Sequence, residues 1–131
     1  MIEVRIYYDD TDAGGVVYHA NYLRYLERGR TELLREHGFS VQAMQEQGIS
    51  FPVVALEINY RSPGRLDDLL QVETAIVAVR NSSFVAGQKV FLKSDGRLLV
   101  EARVTLACVG AGKKAQRLPL ELRELLVSLS P

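Results

Sequence analysis

Between Tyr22 and Leu34 the apolar residues fall at helical spacing, and from Val54 onward they fall at every second position. That change of period restricts the chain to an α+β fold: one long helix, then extended segments. Ile2, Val4 and Ile6 alternate with polar residues and predict a short strand ahead of the helix. Leu23, Leu26, Leu33 and Leu34 form the apolar stripe of a helix from about Ala20 to His37, with Arg28 and Glu32 one turn apart on its wet face. Gly38 supplies the stop, His37 suits the negative end of the dipole, and Ser40 caps a short second helix ending near Gly48.

Val54, Leu56, Ile58 and Tyr60 share one face of the next strand, and Leu70, Val72 and Ile76 one face of the strand after it. Phe84 to Lys93 and Leu98 to Val109 follow, joined through Asp95-Gly96, a pair that favours a tight hairpin. This order predicts a strand, a helix and a four-strand meander, with the helix covering one face of a five-stranded antiparallel sheet. Leu69, Val77, Val79, Val85 and Phe91 have the opposite parity. The uncovered face is therefore expected to be apolar and to be closed by self-association.

With 131 residues and 47% of them hydrophobic, residues 1–131 are expected to form a single domain around one core. Sixteen basic residues balance sixteen acidic ones, which argues against nucleic acid as a partner. No apolar run reaches the roughly 20 residues of a membrane span, and no basic region leads into an apolar one at the N-terminus, so a cytoplasmic protein without membrane insertion is expected. Cys108, the one cysteine, lies in the apolar run Val104–Val109 and reads as a buried strand residue rather than a nucleophile. Gly110-Ala-Gly-Lys113-Lys114 lacks the glycine spacing and the hydroxyl residue of a phosphate loop and reads as a solvated tail, followed by a short amphipathic helix over Leu118 to Leu129.

Chemistry concentrates between Tyr7 and Tyr22, where Asp9, Asp10, Asp12, Gly14, Gly15 and His19 occupy a strand-to-helix junction. The first N–H groups of a helix have no partner within it, and its dipole places partial positive charge there, so a developing oxyanion is stabilised at that spot. Gly14 and Gly15 allow positive φ and close approach of a ligand to the backbone, and Asp12 is the best-placed carboxylate. A plainer reading makes Asp10 and Asp12 turn residues bonded to nearby N–H groups. A hard cation on the acidic cluster is a minor alternative, because the spacing is not that of a calcium loop. Among the tyrosines, Tyr7 and Tyr18 are the candidates for an acyl pocket.

Asp10-Thr-Asp12-Ala-Gly-Gly-Val-Val-Tyr-His19-Ala-Asn21-Tyr22, followed by Tyr25-Leu-Glu27-Arg28-Gly-Arg30, resembles the signature of hotdog-fold acyl-CoA thioesterases, in particular the 4-hydroxybenzoyl-CoA thioesterase family and its Tol-Pal-associated YbgC-type branch. The likeness continues through Ser62-Pro-Gly-Arg65-Leu-Asp67-Asp68 and Arg80-Asn-Ser-Ser83-Phe84. It implies a hotdog fold, a five-stranded antiparallel sheet wrapped around one long helix, in a homodimer or homotetramer with its site near a subunit interface. It further implies that Asp12 is the catalytic carboxylate, that the His19 N–H polarises the thioester carbonyl, and that Asp10 shapes the loop. Arg80 and Ser83 would meet the coenzyme A phosphates, although Asn81 and Ser82 stand where the founding branch is richer in basic residues.

The expected reaction is hydrolysis of an acyl-CoA thioester, or one on acyl carrier protein, with no metal or bound cofactor. Asp12 acts as general base or as nucleophile. Gly14, Gly15 and Tyr18 line the approach to the reacting carbonyl. A Gly-x-Ser-x-Gly elbow is absent, which leaves a serine hydrolase a poor alternative. The competing readings are a non-hydrolytic hotdog protein, either dehydratase-like or an acyl-thioester-binding module, and a scaffold.

Overall fold

The computed structural model describes residues 1–131. In chain order the elements are β1 (Ile2–Arg5), α1 (Asn21–Glu36), α2 (Val41–Glu46), β2 (Val53–Tyr60), β3 (Leu69–Val79), β4 (Ser83–Leu92), β5 (Leu98–Ala107) and α3 (Leu120–Leu129). The five strands form one antiparallel sheet in the order β1-β3-β4-β5-β2. Only β3, β4 and β5 are a meander. The expected four-strand meander is corrected because β2 pairs with β5 at the far edge, Tyr60 opposite Val100, and leaves the near side of β3 to β1. The linker from Arg61 to Asp68 must therefore cross the end of the sheet past two strands, about 14 Å at the usual strand spacing.

α1 ends as its sequence dictates. Gly38 sits at φ +85, its N–H donates to Arg35 O, and the Phe39 N–H reaches back to Leu34 O, which satisfies two terminal carbonyls. The His37 ring nitrogen Nδ1 lies 2.9 Å from Leu33 O, and the Ser40 hydroxyl caps α2 by accepting from the Ala43 N–H at 3.1 Å. The stripe of α1 turned to the sheet is Tyr22, Tyr25, Leu26, Gly29 and Leu34, all buried. Gly29 is the point of closest approach: a Cβ there would lie 2.7 Å from Thr74 Oγ1 and 2.9 Å from Val72 Cγ1. Beneath it the buried Gln88 holds helix to sheet, donating to Leu26 O and Thr74 Oγ1 (both 2.8 Å) and accepting from the Arg30 guanidinium (3.1 Å).

Parity along the strands is broken by bulges. Leu70, Val72 and Ile76 face the core as expected, but an extra residue at Val77 shifts the register, and Val79 then pairs with buried Phe84 and packs against the core instead of facing out. A second bulge at Val54 turns Val53, not Val54, to the side of Leu106. Val85 does face the other way but is already buried within its own chain, beside Ala78 and Thr105. The rest of that outer face carries Glu57, Glu73, Lys89, Glu101 and Arg103 around Ala75 and Gly87. The expectation of an apolar outer face is thus corrected in part: the bulge withdraws Val79 to the core, Val77 stays on that face beside Gly87, and charged residues surround it. Edge strand β2 carries a run of exposed apolar residues, Val53, Val54, Leu56 and Tyr60, at 47%, 61%, 38% and 46% exposure.

After β5, Ala111 to Ala115 are exposed, as expected of a solvated stretch, and the amphipathic helix that follows is α3. Gln116 N–H bonds Cys108 O, Leu118 N–H bonds Asn81 O, and Leu118, Leu122 and Leu126 are buried in the same cluster as Leu26 and Phe84. Cys108 is fully buried there, and burial pushes its thiol pKa up.

Candidate active site

The chain from Tyr7 to Ala20 is held by its own backbone together with the Asp10, Thr11, Asp12 and Asn21 side chains. The Asp12 N–H donates to Val16 O, the Gly15 N–H to Asp12 O, and Gly15 takes φ +78, so residues 12–15 form a tight turn that only glycine completes without strain. Asp10 is the hub of the loop. Its carboxylate accepts from the Tyr7 N–H (2.8 Å), and its carbonyl accepts from the Tyr18 N–H (2.9 Å) and from Asn21 Nδ2 (3.0 Å). The buried Tyr25 hydroxyl faces the Asp10 carboxylate without a hydrogen bond of normal geometry, and burial first, that carboxylate second, pushes its pKa up.

The crossing linker supplies the floor. The Val17 N–H bonds Gly64 O, and the Gly64 N–H donates to the buried Tyr22 hydroxyl at 3.0 Å. Arg61 and Ser62 N–H groups are held by Leu99 O. Pinned from both sides, the loop and the linker border an open cleft of about 310 Å³ lined by Asp12, Val17, His19, Tyr22, Tyr60 and Ser62.

Two groups in this pocket are free. Asp12 uses Oδ1 to accept the Gly14 N–H at 2.8 Å, which is the turn contact of the plainer reading, while its Oδ2 accepts no hydrogen bond from the protein. The backbone N–H of His19 donates to no protein atom. It stands just before α1, where the helix dipole is positive. The Tyr60 hydroxyl holds the His19 carbonyl at 3.0 Å, and the His19 ring packs between Tyr18 and Tyr60, with centroids 4.5 and 6.2 Å away. The imidazole is thus an aromatic neighbour in a stack, and the residue's unspent group is its N–H. Together a carboxylate oxygen and an unbonded N–H can activate a nucleophile and receive negative charge on a carbonyl oxygen.

Of the expected site residues, Asp12 and His19 line this pocket, while Gly14, Gly15 and Tyr18 belong to the loop between and beside them. Arg80 and Ser83 do neither. They flank the β3–β4 turn at the opposite end of the sheet, ~34 Å away along β3 by strand rise. The Arg80 carbonyl accepts from the Arg123 guanidinium of α3, and the segment carrying Lys113, Lys114 and Arg117 packs against the same turn through Leu118 and Asn81. Sequence reasoning missed Tyr60 and Ser62 as parts of the pocket. Tyr60 was legible only as an inward residue of its strand, since nothing local tells which strands flank it.

The model of the thioesterase superfamily matches residues 14–99. The chain is 46% identical over 114 residues to the acyl-CoA thioester hydrolase YbgC of Escherichia coli O157:H7, covering 87% of this chain and 84% of that protein. It is 45% identical over 122 residues to the acyl-CoA thioesterase YbgC of Haemophilus influenzae, covering 92% and 88%. Among solved structures it is similar to a probable thioesterase from Bartonella henselae, with 37% identity, a TM-score of 0.80 and coverage of 90% and 96%.

Proposed function

The chain belongs to the thioesterase superfamily, and from that premise we propose that it hydrolyses acyl-CoA thioesters to the free acid and coenzyme A at the pocket between Asp12 and His19. The observation that carries this reading is the unbonded His19 N–H at the start of α1, in the same pocket as a carboxylate oxygen that no protein group occupies. The thioester carbonyl oxygen accepts from the His19 N–H, and negative charge grows on it as the carbonyl carbon is attacked. As general base, Asp12 takes a proton from the attacking water, the C–S bond breaks, and the thiolate of coenzyme A leaves and is protonated. As nucleophile, Asp12 itself displaces the thiolate, and water then opens the resulting anhydride. Gly14 and Gly15 keep side chains out of the carbonyl's path, and Tyr18 and Tyr60 fix the His19 peptide.

The reading also requires a second copy of the chain. Arg80 and Ser83 lie a sheet's length from Asp12, and β2 is an eight-residue edge strand with exposed apolar side chains. Two β2 strands paired antiparallel about a two-fold axis bury that edge and place the Arg80 end of one copy beside the Asp12 end of the other. The coenzyme phosphates then meet Arg80, Ser83 and the neighbouring Lys113, Lys114 and Arg117 across the interface. The proposed assembly is this homodimer, or a homotetramer of two such dimers. A cytoplasmic location, and acyl carrier protein as a second carrier of the thioester, belong to the same proposal. No helix of the chain is long and apolar enough to cross a membrane.

The deciding experiment is Asp12→Asn. The amide oxygen still accepts the Gly14 N–H, so the turn survives while the free carboxylate is lost. Release of coenzyme A from acyl-CoA should fall by roughly two to four orders of magnitude in kcat with the circular dichroism spectrum unchanged. Near-wild-type turnover in the folded variant would leave Asp12 as a turn residue only. A wild-type protein that binds acyl-CoA and releases no thiol would be a binding module.

A further inference from the structure

Tyr25 is 1% exposed, and its hydroxyl is the one buried side-chain polar atom without a hydrogen bond. A phenol left in that state costs stability, and packing alone does not call for it, since phenylalanine has the same ring. The ring is fixed from two sides, edge to face against Tyr22 with centroids 5.8 Å apart and beneath the Arg28 guanidinium at 5.9 Å. Its hydroxyl therefore has a set position, beside the Asp10 carboxylate. Helix geometry explains the meeting: Asn21, four residues earlier on the same face of α1, reaches the Asp10 carbonyl with its side chain at 3.0 Å. Tyr22 makes the contrast, because its hydroxyl accepts the Gly64 N–H and is engaged with the linker. Of these two inward tyrosines, only the one that faces the loop leaves its contact unmade.

Asp10 in turn holds the peptide that carries the His19 N–H. That N–H lies in the plane joining Tyr18 to His19. The carbonyl of the same plane accepts the Asn21 N–H at 2.8 Å, and the Tyr18 N–H donates to Asp10 O at 2.9 Å. Asn21 Nδ2 shares that Asp10 oxygen. The plane cannot turn without breaking these bonds or moving Asp10. The Asp10 side chain is anchored through Oδ2, which accepts the Tyr7 N–H at 2.8 Å. Burial first and the carboxylate second push the Tyr25 pKa up, so the hydroxyl keeps the proton it has to give.

We propose, resting on the hydrolase reading of this site, that Tyr25 is a positioning residue: its hydroxyl donates to the Asp10 carboxylate and, through Asp10, fixes the direction of the His19 N–H during thioester cleavage. Negative charge growing on the carbonyl oxygen draws the His19 N–H toward it. The Tyr18–His19 plane follows, and the pull passes to Asp10 through the two bonds on its carbonyl. The Tyr25 contact, which falls short of a hydrogen bond in this structure, closes at that point, as contacts of this kind tighten in the transition state. An interaction gained only there acts on kcat and leaves KM alone.

The test compares the wild type with Tyr25→Phe, Asp10→Asn and the double variant, using whichever of hexanoyl-, palmitoyl- and benzoyl-CoA the wild type cleaves fastest. Tyr25→Phe removes a hydroxyl that has no partner, so its urea midpoint should equal or exceed that of the wild type. Its kcat should nevertheless fall by roughly tenfold, the worth of a hydrogen bond to a charged group, with KM within about twofold. Asp10→Asn keeps an oxygen for the Tyr7 N–H and turns the other into an NH2 group that cannot accept. It should lose kcat to a similar extent, and the double variant should be no slower than the slower single one, because both remove the same contact. A purely structural tyrosine would lose stability along with rate. Wild-type kcat in Tyr25→Phe, a loss carried by KM, a lowered midpoint, or losses that multiply in the double variant would each overturn the positioning role while the hydrolase reading stands. No coenzyme A released by the wild type would overturn that reading and the role with it.

Discussion

Gly29 and Gln88 show how single residues set the height of α1 above the sheet, and with it the position of the helix start that borders the pocket. A methyl at Gly29 meets Thr74 Oγ1 and Val72 Cγ1 inside contact distance. Gly29→Ala should therefore cost about 1–3 kcal/mol of stability by overpacking, read as a lower denaturation midpoint in urea, despite alanine's better helix propensity. In the proposed mechanism the His19 backbone acts and its ring only packs, so His19→Ala should lower kcat by less than about tenfold, far short of the loss in Asp12→Asn; a loss as large as that of Asp12→Asn would move proton transfer onto the imidazole. Cys108 is buried with its thiol pKa raised. It should react with a thiol reagent at pH 8 far more slowly in native protein than in denaturant, and rapid labelling of the native state would contradict its place in the core.

At the scale of elements, what could be read from sequence was whatever is decided locally. The ends of α1 and α2 are fixed by Gly38, Ser40 and Gly48, each acting on backbone within a few residues. The candidate residues Asp12, Gly14, Gly15, Tyr18 and His19 belong to one contiguous loop, so a reading of that segment picks them out together. The inversions at Val54 and Val79 were not. A bulge adds one residue to one strand of a pair, and its place depends on the partner strand. Nor does any local signal send β2 to the side of β5, so Tyr60 and Ser62 entered the pocket unannounced. The β3–β4 turn carries its own prediction. Arg80→Ala should raise KM for acyl-CoA severalfold with little change in kcat, and should leave an acyl-pantetheine substrate unaffected, because a phosphate contact is present in ground and transition states alike. An unchanged KM would remove Arg80 from coenzyme recognition.

For the whole molecule, the exposed apolar edge of β2 and the separation of Arg80 from Asp12 are both met by the proposed assembly, a second chain laid antiparallel. The wild type should therefore scatter light as a dimer or a larger even assembly. Leu56→Lys places a charge on that edge, and it should shift the protein toward monomer while raising KM for acyl-CoA. A monomeric wild type with full activity on dilution would end the shared-site reading. The linker from Arg61 to Asp68 also constrains how the molecule is made. The β3-β4-β5 hairpins close over short loops, but β2 must find β5 across about forty intervening residues, which is the slower kind of closure. Because Tyr60, Ser62 and Gly64 are carried by that strand and its linker, the pocket is among the last places in the chain to form, and regained thioester cleavage would mark the end of refolding rather than its first collapse.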